Sequence, residues 1–229
     1  MILAAGRGER MMPLTAKTPK PLLLVNGKPL IQYHLESLRQ ANIKDVVINV
    51  SYLGEQIMDY FGDGSALNIN IHWSIEETPL ETAGGIIKAR SMLGESPFLL
   101  LNGDIWCDIN IEKLVASPQV VNLEQNERVA HLILVNNPVH NLEGDFGIEE
   151  GLLTNAGSTK WTYAGISLLS HRLFSQNEFS NAQPLPLAPL LREFADKKMI
   201  TAEHYSGEWL DVGTPERLEQ LRQMQSRLK

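Results

Sequence analysis

The sequence predicts an α/β fold with a mostly parallel sheet flanked by helices. Short apolar runs typical of buried strands alternate with segments of helical periodicity, and this alternation is typical of parallel sheets. The first apolar run, Ile2–Ala5, leads directly into a glycine-containing loop. With 229 residues, the chain is long enough for one well-buried domain or for a domain with a small lobe.

The elements of the first half follow from periodicity. Strands are expected where apolar residues run together or alternate with polar ones, and helices where they recur every three or four residues. Proline suits the first position of the first helix. The predicted strands are Ile2–Ala5, Val46–Val50, Ile69–Trp73 and Phe98–Leu101, and the predicted helices are Pro29–Gln40, Glu55–Phe61 and Gly84–Leu93.

The second half is less regular. A C-terminal helix is expected from the cap Thr214, with Pro215 at its first position, to about Leu228. Ser117–Arg128 is polar and is expected to be a loop, and Gly151 is expected to turn a hairpin within Phe146–Leu153. The other predicted elements are helices at Ile109–Ala116 and Leu187–Phe194 and strands at Ala130–Val135, Thr162–Leu169, Ile200–Tyr205 and Glu208–Val212.

The net charge, the length of the apolar runs and the cysteine count argue against several classes of function. The net charge of −7 argues against a nucleic-acid groove, and no apolar run approaches the roughly 20 residues that span a bilayer. The single cysteine, Cys107, excludes an internal disulfide and suggests a cytoplasmic protein. Cations nevertheless concentrate in residues 1–30, where the lone acid Glu9 accompanies Arg7, Arg10, Lys17, Lys20 and Lys28. An acidic protein with this cluster beside a glycine loop is suited to a small polyanion.

The glycine loop has the chemistry of a triphosphate site. Gly6 and Gly8 allow phosphate oxygens to approach backbone N–H groups, and a glycine tolerates positive φ. Arg10 offers a planar fork for phosphate oxygens, and Lys20 offers a mobile point charge. A dinucleotide-binding fingerprint would need a third glycine where Met11 stands, and no P-loop sequence is present.

This segment resembles the N-terminal motif of the sugar-1-phosphate nucleotidyltransferases. The match includes Leu3, Ala4, Ala5, Gly6, Gly8, Arg10, Met11, Pro13, Leu14, Thr15, Pro19, Lys20 and Pro21. The resemblance implies a Rossmann-like, GT-A-like nucleotidyltransferase fold in a single domain spanning residues 1–229. Its nucleotide-binding half would cover about 1–105, and a small sugar-binding lobe with closing elements about 106–229.

Two aspartates resemble the metal site of this family. Asp104 follows the strand Phe98–Leu101, and ligands bind beyond the carboxyl ends of strands in such sheets. Asp211 stands in Trp209–Thr214, which is similar to the family's Trp-x-Asp-Val-Gly-Thr element. The resemblance implies that both carboxylates hold Mg²⁺, which commonly takes one or two protein carboxylates beside phosphate oxygens. Each aspartate could instead belong to an ordinary turn.

Further segments resemble the substrate-contacting segments of the family. Pro79–Gly85 is similar to the segment that lines the nucleotide base, with glutamate where many members have glycine. The implied nucleotide-binding residues are Ala5, Gly6, Arg7, Gly8, Glu81, Ala83 and Gly84, and the implied sugar-phosphate contacts are Asn102, Asp145 and Gly165. Asp145 could equally be a turn acid, Gly165 a bulge, and Glu81 an exposed first-turn acid. The family's Glu-Lys-Pro motif is missing, and Lys160 does not have the spacing to replace its lysine.

The resemblance implies transfer of a nucleotidyl group from UTP to a sugar-1-phosphate, with Lys20 and Arg10 as the catalytic residues. Segments 79–85, 102–106 and 144–146 resemble those of the short uridylyltransferases that act on N-acetylmuramate α-1-phosphate in bacterial cell-wall recycling. Alternatives are a mannose-1-phosphate guanylyltransferase, a glucose-1-phosphate nucleotidyltransferase and a non-catalytic nucleotide-sensing module. A metal-dependent glycosyltransferase would show Asp-x-Asp, whereas Asp104 and Asp108 are four apart. A monomer or small homo-oligomer is expected.

Overall fold

The computed structural model describes residues 1–125, 127–175 and 183–227. Its strands are β1 (Ile2–Leu3), β2 (Leu24–Val25), β3 (Lys28–Pro29), β4 (Asp45–Val50), β5 (Asn70–Ile75), β6 (Phe98–Asn102), β7 (Ile105–Cys107), β8 (Ala130–Val135), β9 (Gly147–Glu149), β10 (Leu152–Thr154), β11 (Thr162–Leu169), β12 (Ile200–Tyr205) and β13 (Trp209–Asp211). Its α-helices are α1 (Leu30–Gln40), α2 (Gly54–Phe61), α3 (Glu81–Leu93), α4 (Ile111–Val115), α5 (Pro118–Glu124), α6 (Leu187–Asp196) and α7 (Pro215–Arg227).

The chain divides into two compact units, each assembled from segments that are distant in the sequence. The first unit comprises Met1–Pro79, Leu101–Glu112 and Glu208–Lys229. The second comprises Leu80–Leu100 and Lys113–Gly207. Strand β6 therefore begins in the second unit and ends in the first. The predicted division into a nucleotide-binding half up to about residue 105 and a sugar-binding lobe after it concerns function, and it stays a prediction.

The sheet of the first unit is parallel. Strand β1 pairs in parallel with β4 on one side and with the end of β6 on the other, and β5 pairs in parallel with β4. Five consecutive residues of β4, Val46–Val50, are buried, which is typical of a strand covered on both faces. The carboxyl ends of β1, β4 and β6 consequently meet at one edge of this sheet.

Strand β1 is shorter than the predicted run Ile2–Ala5, because after Leu3 the backbone hydrogen-bonds to a side chain instead of to a neighbouring strand. The backbone N–H of Ala4 donates to Oδ1 of Asn49 at 2.8 Å. Asn49 in turn donates from Nδ2 to Oε1 of Glu76 at 2.7 Å, and both of these side chains are buried. A satisfied buried network of this kind fixes backbone direction, so the chain leaves the sheet at Ala4 in a defined orientation.

Two short ribbons complete the first unit. Strands β7 and β13 pair antiparallel, with Asp211 opposite Ile105, and β2 pairs antiparallel with β3. Apolar residues from the glycine loop, the ribbons and the helices share one core cluster, in which Met11 is fully buried. The cluster contains Met11, Leu23, Val25, Leu30, Trp106, Leu210, Val212, Leu218 and Leu221.

The second unit contains a mixed sheet in the strand order β6-β11-β8-β12-β10-β9. Strand β8 pairs antiparallel with β11 and parallel with β12, and β9 and β10 form a hairpin. Glu150 and Gly151 both have positive φ in the turn of that hairpin, which confirms the predicted turn at Gly151. The register of β11 against β8 shifts between Tyr163 and Ser167, around Gly165 with a φ of +74°.

Most predicted elements are confirmed to within a few residues, including the mostly parallel sheet flanked by helices. The prediction of a loop over Ser117–Arg128 is wrong, because α5 occupies Pro118–Glu124 and buries Leu123. Ser117 precedes Pro118, and proline is common at the first position of a helix. The polar composition of the segment nevertheless favoured a loop. The end predicted for the last helix, Leu228, lies outside the described residues. Among the described helices, none has the length and apolarity to cross a lipid bilayer.

Candidate active site

The glycine loop after β1 is anchored at two points within the first unit. Met11 lies in the core cluster, and the buried Thr15 donates its hydroxyl to the Gly8 carbonyl oxygen at 2.8 Å. Gly8 has a φ of +65°, and a Cβ there would lie 3.1 Å from Cγ2 of Thr15. A Cβ on Gly6 would meet no atom within 4 Å, and Gly6 is exposed. The loop thus combines a tightly packed Gly8 with an open approach to the backbone at Gly6.

Lys20 and Asp104, which the sequence analysis assigned to phosphate and to the metal, lie in direct contact. Nζ of Lys20 donates to Oδ2 of Asp104 at 2.7 Å. Lys20 is only 8% exposed, whereas the Asp104 side chain is 41% exposed. Lys20 is therefore a fixed cation and not the mobile charge that the sequence suggested. Its ammonium group is nevertheless positioned beside a carboxylate that solvent and ligands can reach.

Gly103 places Asp104 at the end of β6. Its N–H donates to the Leu3 carbonyl oxygen at 2.8 Å, and a Cβ on Gly103 would lie only 2.4 Å from that oxygen. No other residue fits this close approach of two backbones. The turn holding Asp104 is thereby pressed against β1, directly before the glycine loop begins.

The second predicted metal ligand, Asp211, reaches the same place through the β7–β13 ribbon. Asp211 lies opposite Ile105, the residue after Asp104, and the N–H of Val212 donates to the Asp104 carbonyl oxygen at 2.7 Å. The pairing therefore makes Asp104 and Asp211 neighbours at one end of the ribbon. Two hard carboxylates beside a cationic glycine loop are a donor set that fits Mg²⁺ with phosphate oxygens. Among the described residues, no group of three or more candidate metal ligands occurs, so substrate and water oxygens would have to complete the coordination shell.

Arg217 is a residue of this site that the sequence analysis missed. From the first turn of α7 its Nη1 donates to both carboxylate oxygens of Asp211, and both side chains are largely buried. Across Gly213 the same guanidinium approaches that of Arg10. The three cations Arg10, Lys20 and Arg217 thus exceed the two carboxylates, and such an excess of positive charge favours an anionic ligand.

The other predicted residues of the loop remain open to solvent. Ala5 is half-buried, and Arg7 and Arg10 are exposed. The Arg7 guanidinium lies 5.1 Å from the centre of the Tyr52 ring, a cation–π distance. This stacking directs Arg7 toward the end of β4, whereas Arg10 lies near Gly213.

The predicted base-lining segment lies in the second unit, and its backbone is engaged there. The N–H groups of Ala83 and Gly84 both donate to the Leu185 carbonyl oxygen, at 2.9 and 3.2 Å. A Cβ on Gly84 would lie 2.2 Å from the Gln183 carbonyl oxygen, so packing alone requires this glycine. Glu81 is exposed and has a φ of +57°, which explains in physical terms why glycine suits this position. The role of these residues in nucleotide binding stays a prediction.

The predicted sugar contacts divide between the two units. Asn102 ends β6 in the first unit and is half-buried. In the second, Asp145 accepts hydrogen bonds from the Tyr163 N–H at 2.8 Å and from Nδ2 of Asn141 at 3.2 Å. Asp145 therefore secures a turn against β11, and Gly165 forms the bulge described above. Both have a structural role, and their contact with a sugar stays a prediction.

His34 is a second residue that the sequence analysis did not place near the site. It is buried on α1, and burial lowers its pKa from 6.5 to about 4, although hydrogen bonds with the backbone at Ile105 and Asn102 and the charge of Asp104 raise it. Its Nε2 has no hydrogen-bond partner among the described residues. The imidazole is therefore neutral near pH 7 and packs beneath the turn that carries Asp104.

We expect the stability of the protein to fall as the pH is lowered from 6.5 toward 4. The unfolded chain takes up a proton on His34 near pH 6.5, but the folded chain does so only near pH 4, so acid favours unfolding. Thermal unfolding midpoints measured across this range in the variant His34→Gln should show a shallower decline than in the parent protein. His140→Gln, at an exposed position, serves as the control. Equal slopes in the parent and His34→Gln would contradict this assignment.

Comparisons with known proteins identify the family of the chain. Residues 1–148 match the sequence model of the nucleotidyl transferase family. The chain belongs to this family and is a nucleotidyltransferase, as the N-terminal motif indicated.

Relatives match over nearly the whole chain. It is 44% identical over 224 residues to the N-acetylmuramate alpha-1-phosphate uridylyltransferase of Neisseria meningitidis serogroup B, a match covering 96% of this chain and 95% of that protein. It is 32% identical to the D-glycero-alpha-D-manno-heptose 1-phosphate guanylyltransferase of Campylobacter jejuni, covering 94% and 95% of the two chains. The solved structure of a UDP-glucose pyrophosphorylase with UDP-glucose shares the fold, with a TM-score of 0.75 at 19% identity and coverage of 100% and 98%.

Proposed function

We propose that this nucleotidyltransferase transfers a uridylyl group from UTP to N-acetylmuramate α-1-phosphate. A phosphate oxygen of the sugar-1-phosphate forms a bond to the α-phosphorus of UTP, and the bond from that phosphorus to the bridging oxygen breaks. The products are UDP-N-acetylmuramate and pyrophosphate. The observation that carries the proposal is the pairing of Lys20 with Asp104 directly behind the glycine loop, beside Asp211.

The residues that we assign to charge neutralisation in this displacement all belong to the first unit. The sugar phosphate carries its own nucleophilic oxygen, so no general base is required, and positioning and charge neutralisation provide the catalysis. Arg10 would bind the β- and γ-phosphates, and Lys20 would stabilise the negative charge that develops at the α-phosphate. Asp104 and Asp211 would hold Mg²⁺. When bound, this ion would neutralise phosphate charge and orient the triphosphate.

The choice of nucleotide and sugar rests on the relative of 44% identity, which is a uridylyltransferase. The runner-up is guanylyl transfer to a sugar-1-phosphate of the mannose type, which the relative of 32% identity supports. We assign nucleotide contacts to Ala5–Gly8, Glu81, Ala83 and Gly84, and sugar-phosphate contacts to Asn102, Asp145 and Gly165. We further propose a cytoplasmic monomer or small homo-oligomer. Burial raises the pKa of the Cys107 thiol to about 12, so the thiol is protonated near neutral pH and we assign it no role in the reaction.

The substrate assignment predicts a ranked set of specificity constants. In the presence of Mg²⁺, kcat/KM should be higher for N-acetylmuramate-1-phosphate with UTP than for glucose-1-phosphate or mannose-1-phosphate. UTP should likewise exceed GTP with the same acceptor. Pyrophosphate release in a coupled assay measures each pair. Equal or better turnover of mannose-1-phosphate with GTP would replace this assignment by the guanylyltransferase one, and no turnover with any pair would favour a nucleotide-sensing module.

A further inference from the structure

Arg217 and Asp211 form a largely buried ion pair at the start of α7. Nη1 of Arg217 contacts both oxygens of the carboxylate, and the two side chains are 14% and 19% exposed. The backbone N–H of Arg217 also approaches the hydroxyl of Thr214, the residue before the helix, at 3.4 Å. The first contact fixes the position of the guanidinium, and the second concerns only the backbone at the start of the helix.

Gly213 brings a second guanidinium to the same place. A Cβ on Gly213 would lie 2.5 Å from Nη2 of Arg217 and 3.4 Å from Nη2 of Arg10. The two arginines thus share the space above one glycine, although their like charges repel. Asp211 contributes one negative charge beside these two positive ones. An anion that accepts hydrogen bonds from both guanidinium groups would offset the second positive charge. Two guanidinium groups side by side suit the oxygens of a phosphate.

We infer that Arg217 is a second phosphate-binding arginine of this enzyme. Asp211 holds it beside Arg10, and the two guanidinium groups together bind the β- and γ-phosphates of the nucleoside triphosphate. The inference rests on the proposed function for the identity of the nucleotide. It extends that function by giving Asp211 a second task, the orientation of Arg217, in addition to its assignment to the metal.

Direct binding tests this inference without any turnover. Isothermal titration with inorganic pyrophosphate and with UTP, in the presence of EDTA, compares the parent protein with Arg217→Gln, Arg217→Lys and Arg227→Gln. The last is a matched control, because Arg227 is an exposed residue of the same helix. Loss of a charge-assisted hydrogen-bonding residue should weaken binding of both ligands about 10- to 100-fold in Arg217→Gln. Arg217→Lys should be intermediate, and Arg227→Gln should match the parent.

The binding of UMP separates phosphate recognition from general damage to the site. UMP lacks the β- and γ-phosphates, so its affinity should be the same in the parent protein and Arg217→Gln. If Arg217→Gln unfolds because Asp211 loses its partner, the double variant Arg217→Gln/Asp211→Asn removes both charges and takes its place. Pyrophosphate affinity equal to that of the parent, in either variant, would overturn the inference. If the parent protein itself binds neither pyrophosphate nor UTP, the proposed function fails instead.

Discussion

Replacing Lys20 by alanine is expected to lower kcat by about 10²- to 10³-fold while changing the KM for UTP much less. The ammonium group is fixed by Asp104 at 2.7 Å, so it can meet charge that develops in the transition state without reorganising. Interactions that are stronger in the transition state than in the ground state act on kcat. Steady-state kinetics with saturating Mg²⁺ measure both constants.

Lys17→Ala is the control for this experiment, because Lys17 is an exposed cation of the same loop. Lys17→Ala should retain nearly full activity if the position of the Lys20 ammonium group, rather than the total positive charge of the loop, determines kcat. Circular dichroism and the unfolding midpoint of Lys20→Ala establish whether the fold survives. A folded Lys20→Ala variant with less than a tenfold loss of kcat and a normal KM would remove Lys20 from the mechanism.

Replacing Asp104 or Asp211 by asparagine is expected to raise the Mg²⁺ concentration needed for half-maximal activity and to depress turnover. Each substitution removes a hard anionic ligand while preserving size. We expect the shift in Mg²⁺ requirement to be at least about tenfold, since even losing a hydrogen-bond partner of a metal ligand costs that much. Activity titrated with Mg²⁺, and Mn²⁺ binding followed by electron paramagnetic resonance, measure the two effects.

The two aspartate variants should differ in stability. Asp104→Asn leaves the buried ammonium of Lys20 without a carboxylate partner, but the Asp104 side chain is 41% exposed and water can replace part of the lost interaction, so the unfolding midpoint should fall moderately. Asp211→Asn leaves Arg217 without its carboxylate partner at a largely buried position, so its midpoint should fall further. Glu216→Gln, at an exposed position on α7, serves as the control. Unchanged Mg²⁺ titrations in both aspartate variants would contradict the two-carboxylate metal site.

The parts of the site that are contiguous in sequence could be predicted without the structure. Gly8, Lys20 and Asp104 stand in short motifs whose spacing is set by one turn or one strand end. The strand before Asp104 is an unmistakable apolar run, Phe98–Leu101. The structure adds the reason for Gly103, whose missing Cβ lets two backbones meet.

Arg217 could not be predicted in the same way. Its partner Asp211 is six residues earlier, across the end of β13 and the start of α7, and a helical spacing rule does not connect the two elements. Its nearness to Arg10 depends on the pairing of β7 with β13, which involves only three residues in each strand. Strands this short carry no readable periodicity.

Asn49 and Glu76 were missed for a related reason. Asn49 is a polar residue inside β4 and Glu76 directly follows β5, and nothing in their local sequence marks them as partners, yet both are buried and linked at 2.7 Å. Asn49 pairs with Leu3 across the parallel strands β4 and β1, a contact between residues more than 40 positions apart that the local sequence does not indicate. The left-handed conformation of Glu81 is likewise set by packing, since no local pattern favours positive φ for glutamate.

The most direct test of the proposed uridylyl transfer is the stoichiometry of its two products. UTP and N-acetylmuramate-1-phosphate are incubated with the protein and Mg²⁺, and pyrophosphate and nucleotide sugar are quantified together, the latter by mass spectrometry. One pyrophosphate is expected for each UDP-N-acetylmuramate formed, with no release without the sugar phosphate and with loss of both products in Lys20→Ala. Release of pyrophosphate without the sugar phosphate, or no nucleotide sugar with any sugar-1-phosphate, would contradict the proposed transfer.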